Sequence, residues 1–141
     1  MLETTKYTAE EVVRLAEEYK TEAEALHRSG KYHCAESTLS TLCKHFRPDL
    51  PEEIAQLASG FGGGSGSGCL CGAVAGGTIA LGLILKEDKK QIQKLTAELH
   101  GWFKEKFGTT CCRSIRSRHE KAFCPVITGD VTGKVTELLL K

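Results

Sequence analysis

Apolar residues recur three or four positions apart along most of this chain, which is the period of an α-helix with one buried face. A first helix is predicted between Thr8, which forms a capping-box pattern with Glu11, and Gly30, which is a typical C-terminal stop. Its apolar positions are Val12, Val13, Leu15, Ala16, Tyr19, Ala23 and Leu26. A second helix is predicted from about His33 to Phe46, because the sequence Arg47-Pro48-Asp49 interrupts the pattern there.

The middle of the chain combines a proline, a glycine-rich run and a long uncharged segment. A helix is predicted to begin at Pro51, and its inner face is expected to hold Ile54, Leu57, Ala58 and Phe61. The glycine-rich run 60–68 favours neither a regular helix nor a strand, so we expect a loop. The uncharged run 70–85 has 16 residues, including four glycines, and is shorter than the ~20 residues that cross a bilayer. It is therefore predicted to be a buried central helix with a smooth face formed by Gly72, Gly76 and Ala80.

The last third of the chain predicts three more helices. Asp88 is a candidate cap for a helix that ends at Gly108, with a core stripe of Ile92, Leu95, Leu99, Trp102, Phe103 and Phe107. Thr109 or Thr110 is expected to cap a short helix that opens with Cys111 and Cys112. The pair Cys124-Pro125 is expected to lie in the loop before a final helix that carries Val131, Val135, Leu138 and Leu139. The pattern predicts no strand, so the fold class is all-α: a compact bundle of about six or seven helices in one domain, 1–141, with a glycine-rich loop before the central helix.

Charge and targeting signals narrow the function classes. Lys and Arg number 19 and Asp and Glu number 18, so the chain lacks the basic excess typical of nucleic-acid binding, and we expect no nucleic-acid partner. The basic residues Arg113, Arg116 and Arg118, with Lys121 beyond them, are interpreted as a solvated helix face. The first residues contain no basic stretch followed by an apolar core, so no signal peptide is expected. These features favour a cytoplasmic protein without direct membrane insertion, in which thiols persist.

Cysteine is the most informative residue type for chemistry, because thiolates bind soft metals and act as redox nucleophiles. The seven are Cys34, Cys43, Cys69, Cys71, Cys111, Cys112 and Cys124. Several lie at predicted helix starts, where unpaired N–H groups stabilise a thiolate or a sulfide. Cys43 lies on an apolar helix face and is interpreted as a packing residue, whereas His33, beside Cys34, is a candidate for tuning or ligating a bound group. No Cys-x-x-Cys pair is present, so the spacing predicts no local zinc ribbon, thioredoxin-type motif or c-type haem attachment.

The cysteine segments resemble a known family. Cys71-Gly72-Ala73-Val74-Ala75-Gly76 matches the CGAxxG motif of the C-GCAxxG-C-C family of redox-active proteins. Four further segments are similar in order to the family pattern: Cys34-Ala35-Glu36, Gly60-Phe61-Gly62-Gly63-Gly64, Phe107-Gly108 with Cys112-Arg113, and Cys124. The resemblance covers about residues 30 to 128. It extends to the cysteine-bearing part of split-Soret cytochromes, although this chain lacks their haem-attachment motif.

The resemblance implies that Cys34, Cys71, Cys112 and Cys124 are the characteristic cysteines and candidate metal ligands. Cys69 and Cys111 are then additional, and each lies close enough to a family cysteine to replace it as a ligand. The implied cofactor is an iron–sulfur cluster, [2Fe-2S] or [4Fe-4S], with the backbone of Gly62, Gly63, Gly64 and Gly72 approaching it. The expected role is electron transfer to or from a redox partner protein.

Other functions fit the residues as well. In a thiol–disulfide oxidoreductase or redox sensor, Cys71 would attack and Cys34, Cys69 or Cys112 would resolve the mixed disulfide. A structural zinc or other soft-metal site is a third hypothesis, and a bundle whose cysteines only pack is a fourth. The sequence does not decide whether the protein is an enzyme. The glycine-bearing face of the central helix suggests a homodimer, but an intramolecular contact would explain it equally well.

Overall fold

Helices make up most of the chain in the computed structural model, which describes residues 7–119 and 123–141. The α-helices are α1 (Ala9–Arg28), α2 (Cys34–Phe46), α3 (Gly72–Leu85), α4 (Lys89–Phe107), α5 (Cys112–Arg118) and α6 (Cys124–Leu140), and a 3₁₀ helix spans Glu52–Phe61. Within these ranges the only extended pairing is a single antiparallel bridge between Leu70 and Cys111. The all-α prediction is therefore confirmed.

The α3 helix forms the centre of the bundle, as predicted from its uncharged sequence. It packs against α2, α4, α6 and the 3₁₀ helix, while α1 covers α6 and α2. Fully buried side chains from these helices form the core, including Leu39, Leu42, Val74, Leu81, Leu99, Phe103, Val131 and Val135. Because α3 is surrounded, it fixes the positions of the elements that begin at its N-terminal end.

Glycines allow two pairs of helices to approach closely. A Cβ atom at Gly76 would overlap the backbone of Ala35, so α2 and α3 are in direct backbone contact. At the other interface, a Cβ atom at Gly129 would lie 2.9 Å from the carbonyl oxygen of Lys20 in α1. The smooth face predicted on α3 is thus occupied by α2 of the same chain, and it supplies no argument for a homodimer.

The segment after Pro51 differs from its predicted form. It is a 3₁₀ helix, in which residues three apart share a face, and Ala55 and Ala58 are the buried pair. Leu57 was expected on the inner face, but it is 55% exposed. The prediction assumed a period of 3.6 residues, and the tighter helix turns Leu57 outwards.

The starts of the last two helices also differ from the predictions. The N-cap of α5 is Cys111, not a threonine; Thr109 instead accepts the Cys111 N–H through its hydroxyl at 3.1 Å. Cys124 and Pro125 form the first turn of α6 and do not lie in a loop. Proline fits there because the first-turn N–H groups of a helix have no intrahelical partner.

The glycine-rich run forms a left-handed turn. Residues 63–66 have φ between +61° and +68°, and the turn is closed by a 3.0 Å hydrogen bond from the N–H of Cys69 to the carbonyl of Gly64. Ser65 is strained in this conformation, which glycine adopts freely. The stretch predicted as an irregular loop is thus a single π-helical turn at Gly64–Gly68 with left-handed residues, whereas Gly60 and Phe61 belong to the preceding 3₁₀ helix.

Two predictions fall partly outside the described residues. Residues 1–6, on which the expectation of no signal peptide mostly depends, and Lys121 of the basic run are not described by the structure. Across residues 7–119 and 123–141, the helices fall short of the length and apolarity that crossing a bilayer requires.

Candidate functional site

Four cysteines that are far apart in the sequence line one small cavity. Cys34, Cys71, Cys112 and Cys124 surround a space of about 30 Å³, together with Gly72, Ile115, Arg116 and Ile127. Three of these cysteines are the first residues of α2, α5 and α6, and Cys71 is the N-cap of α3. The N-terminal ends of four helices therefore converge on the cavity, which we call the cysteine cavity.

Close packing between α2 and α3 brings the first two cysteines together. Gly72 lies directly against the Cys34 sulfur, and a side chain at Gly72 would overlap Cys34 Sγ and come within 2.8 Å of the carbonyl oxygen of Phe61. The glycine in the Cys-Gly-Ala motif is thus required for space. It allows the α3 N-terminus to reach the start of α2.

A pair of backbone hydrogen bonds joins the two cysteine-bearing segments on either side of the Leu70–Cys111 bridge. The N–H of Cys71 donates to the carbonyl of Thr110 at 2.8 Å, and the N–H of Cys112 donates to the carbonyl of Cys69 at 2.7 Å. These bonds fix the position of Cys112 relative to Cys71. The bridge is short, but it connects the central helix to α5 at the edge of the cysteine cavity.

The glycine turn packs against the same cysteines. The N–H of Gly63 donates towards the Cys34 sulfur, and a Cβ atom at Gly64 would lie 2.6 Å from Cys112 Cβ. Gly62 instead lies against the ring of His33, which is exposed and does not line the cavity. Three of the four predicted glycines therefore contact a cysteine of the cavity, namely Gly63, Gly64 and Gly72. Gly62 instead contacts His33, the residue before Cys34.

Burial dominates the electrostatics of the cavity. It raises the pKa of Cys34 and, with the Cys34 sulfur nearby, raises the pKa of Cys71 to about 12. The backbone N–H groups of Val74 and Ala73 act in the opposite direction, because they donate towards the Cys71 sulfur. Without a bound cation, Cys71 is therefore a neutral thiol at physiological pH.

The three remaining cysteines lie outside the cysteine cavity. Cys43 is 3% exposed in the core, where burial raises its pKa to about 11, in agreement with its interpretation as a packing residue. Cys69 is exposed, and the partly exposed Cys111 donates from Sγ to the carbonyl of Gly68 at 3.4 Å. The Ser114 hydroxyl and N–H, which donate towards the Cys111 sulfur, lower the pKa of Cys111. Neither Cys69 nor Cys111 replaces its neighbour at the cavity.

The four cysteines of the cavity must be assessed separately as ligands of a single metal ion and as ligands of a cluster of several ions. Among the residues that the structure describes, no three His, Cys, Asp or Glu side chains are arranged to hold a single metal ion. All four sulfur-bearing residues nevertheless face one cavity. The donor set is the Cys₄ set that holds iron–sulfur clusters, in which different sulfurs bind different iron atoms.

Sequence reasoning missed the residues between the cysteines that complete the site. Ile115 and Ile127 supply its apolar wall, and Arg116 is the one cationic side chain among its lining residues. Arg116 is exposed, in agreement with the predicted solvated face, and it also lines the cysteine cavity. The sequence signal for this position is that Arg116 lies three residues after Arg113 on a short helix that begins with a candidate ligand, Cys112.

Comparison with known proteins identifies the family. Residues 32–138 match the family described as "Putative redox-active protein (C_GCAxxG_C_C)". Because the match covers most of the chain, the protein belongs to this family. The matched segment ends at residue 138, about ten residues further towards the C-terminus than the resemblance seen in the cysteine segments. No curated protein and no solved structure matches the chain.

Proposed function

We propose that this protein binds an iron–sulfur cluster through Cys34, Cys71, Cys112 and Cys124 and transfers electrons to a redox partner protein. The convergence of these four residues on one cavity is the observation that carries the proposal. The family is redox-active by description, and four thiolates are the donor set of both [2Fe-2S] and [4Fe-4S] centres.

A zinc ion and an iron–sulfur cluster place different demands on the four sulfurs. A structural zinc site brings four ligands to one ion at a Zn–S distance of about 2.3 Å, so the ligands must meet almost at a point. No three candidate ligands within the described residues are arranged in that way, although all four cysteines share a cavity. A cluster spreads its ligands over several iron atoms, so it does not require the four sulfurs to converge on one ion.

The surroundings of the sulfurs support the same proposal. Backbone N–H groups of Gly63, Ala73 and Val74 are directed at cysteine sulfurs, and such donors stabilise the negative charge of a thiolate-bound cluster. The buried Ile115 and Ile127 add apolar side chains to the cavity wall, which limit the access of water. A bound cluster would supply the one-electron redox chemistry, and the protein would hold, insulate and tune it.

The thiol–disulfide alternative is less well supported at this cavity. An attacking cysteine must form a thiolate near neutral pH. Cys71 is only 7% exposed, and its burial raises the pKa of its thiol, which opposes thiolate formation. Partner molecules would also have to reach it. Cys69 is the exposed cysteine, but it does not line the cavity.

The test is an anaerobic purification followed by analysis of iron, acid-labile sulfide and zinc, with visible absorption and electron paramagnetic resonance spectra. We expect iron and sulfide in stoichiometric amounts. Each of the variants Cys34→Ser, Cys71→Ser, Cys112→Ser and Cys124→Ser should lose most of the visible absorbance. The exposed Cys69→Ser is the matched control and should keep it.

Three results would contradict the proposal. Zinc without labile sulfide would identify a structural metal site, and a colourless, metal-free protein with rapidly reducible disulfides would identify thiol chemistry. Full absorbance in Cys71→Ser together with its loss in Cys69→Ser would show that the ligand set is wrong.

A further inference from the structure

A second cavity adjoins the cysteine cavity. It has a volume of about 340 Å³ and is lined by Gly63, the segment 66–68, Cys112, Arg113 and Arg116; we call it the arginine groove. Cys112 and Arg116 line both cavities. The groove therefore lies next to the four cysteines, on the side formed by the glycine turn and α5.

The two arginines project from the same side of α5, because they are three residues apart on a helix. The Arg113 guanidinium donates from Nη2 to the carbonyl of Ser67 at 3.0 Å, and this bond anchors it at the wall of the groove. A guanidinium has five N–H donors, so most of those on Arg113 stay available for a ligand.

Among the described residues, no carboxylate is paired with these two arginines. The lining residues of the arginine groove include no Asp or Glu, and within residues 7–119 and 123–141 neither Arg113 nor Arg116 takes part in an ion pair. Elsewhere on the molecule, basic side chains such as Lys20 and Arg47 are paired with carboxylates at about 3 Å. Within the part of the chain that the structure describes, the groove is thus a concave site that carries two unpaired cationic side chains.

The volume of the arginine groove is large enough for a small ligand. Clefts that bind small molecules have volumes of roughly 300–1,000 Å³, and the arginine groove falls within this range. Paired guanidinium groups match carboxylate and phosphate oxygens through two parallel hydrogen bonds. Apart from Cys112, the groove is lined only by glycine, serine and arginine residues.

We propose that the arginine groove binds the oxyanion group of a small molecule, a carboxylate or a phosphate, and holds that molecule against Cys112. Arg113 and Arg116 supply the charge-assisted hydrogen bonds. The inference does not depend on the cluster, because it concerns binding and rests on the groove and its two arginines alone. It adds a ligand site that would bring a small anionic molecule next to Cys112.

Isothermal titration calorimetry with the anaerobically purified protein tests the proposal, with inorganic phosphate and succinate as probes. Their relative affinities distinguish a phosphate from a carboxylate ligand. We expect saturable binding of at least one probe at millimolar concentration or below, weakened about tenfold or more in Arg116→Gln and in Arg113→Gln. Arg14→Gln is the matched control: it removes the same charge from an exposed position on α1 and should leave binding unchanged.

The proposal is overturned by several outcomes. One is the absence of saturable binding with both probes, and another is an equal loss of affinity in Arg14→Gln. A third is unchanged affinity in Arg116→Gln, a variant that leaves the contact between Arg113 and the glycine turn intact. Binding of an oligoglutamate peptide but of neither small anion would show that the surface recognises an acidic protein instead.

Discussion

The contact between α2 and α3 at Gly76 gives the sharpest test of the fold. An alanine there would place a methyl group in overlap with the backbone of Ala35, which is fully buried. A backbone cannot rotate away as a side chain can, so the helices must separate. Because Ala35 follows Cys34 directly, this separation would also displace one wall of the cysteine cavity.

Two opposing effects set the size of the change. Alanine is favoured over glycine in a helix interior by up to ~1 kcal/mol. Overpacking a well-packed core costs about 1–3 kcal/mol, and overlap with a backbone belongs at the upper end of this range. We therefore expect Gly76→Ala to lower the free energy of unfolding by about 1–2 kcal/mol. For a chain of this size, each kcal/mol corresponds to a shift of about 3–5 °C in Tm.

Urea and thermal denaturation, followed by far-ultraviolet circular dichroism, measure the effect. Gly82→Ala is the matched control in the same helix, because a Cβ atom there meets no other atom within 4 Å. It gains the helix propensity without the overlap and should be stabilised by up to ~1 kcal/mol. If Gly76→Ala proves as stable as Gly82→Ala, the close approach of α2 and α3 described here is wrong.

Three further predictions concern the site, thiol reactivity and a helix cap. If the cysteine cavity holds the proposed cluster, Gly72→Ala should lose most of the iron and visible absorbance, because the added methyl group would overlap Cys34 Sγ. A short pulse of iodoacetamide near neutral pH should label the exposed Cys69 and leave Cys43 unlabelled, as read by peptide mass spectrometry. Burial raises the pKa of Cys43 to about 11, so its labelling in the folded protein should increase only as the pH approaches that value. Thr8→Ala removes the acceptor of a 3.1 Å cap hydrogen bond and should lower the free energy of unfolding in urea by about 1 kcal/mol.

Each of these predictions has a contrary result. Iron content equal to that of the unaltered protein in Gly72→Ala would show that the space beside Cys34 is not needed for the bound group. Equal labelling rates at Cys43 and Cys69 would contradict the burial of Cys43. For the cap, Thr8→Ser keeps the hydroxyl, and a loss of stability as large as that of Thr8→Ala would exclude the hydrogen bond as its cause.

Helix ends with short-range signals were predictable from the sequence. The reciprocal bonds between Thr8 and Glu11 form as expected, the Asp88 carboxylate accepts from the N–H of Gln91 at 3.2 Å, and Gly108 ends α4 in the left-handed conformation. Each of these features depends on residues only a few positions apart. These helix ends could therefore be predicted, because the residues that form them are neighbours in the sequence.

Features that depend on packing were not predictable in the same way. The segment after Pro51 could be an α-helix or a 3₁₀ helix on its sequence alone, and packing selects the form that buries Ala55 and exposes Leu57. The assignment of Cys34 and Cys124 to one site came from the resemblance to a family, because spacing gives no distance between segments so far apart. The groove at Arg116 was missed because the shape of the left-handed turn that faces it depends on tertiary contacts.

The position of Cys124 has a consequence for how the protein matures. It opens α6, the final helix, whereas the other three cysteines of the cavity belong to elements synthesised earlier. A chain still emerging from the ribosome cannot bring all four sulfurs together until that helix has been made and has docked. Any group held by the complete set can therefore be bound by all four sulfurs only once α6 has been made and has docked on the other helices.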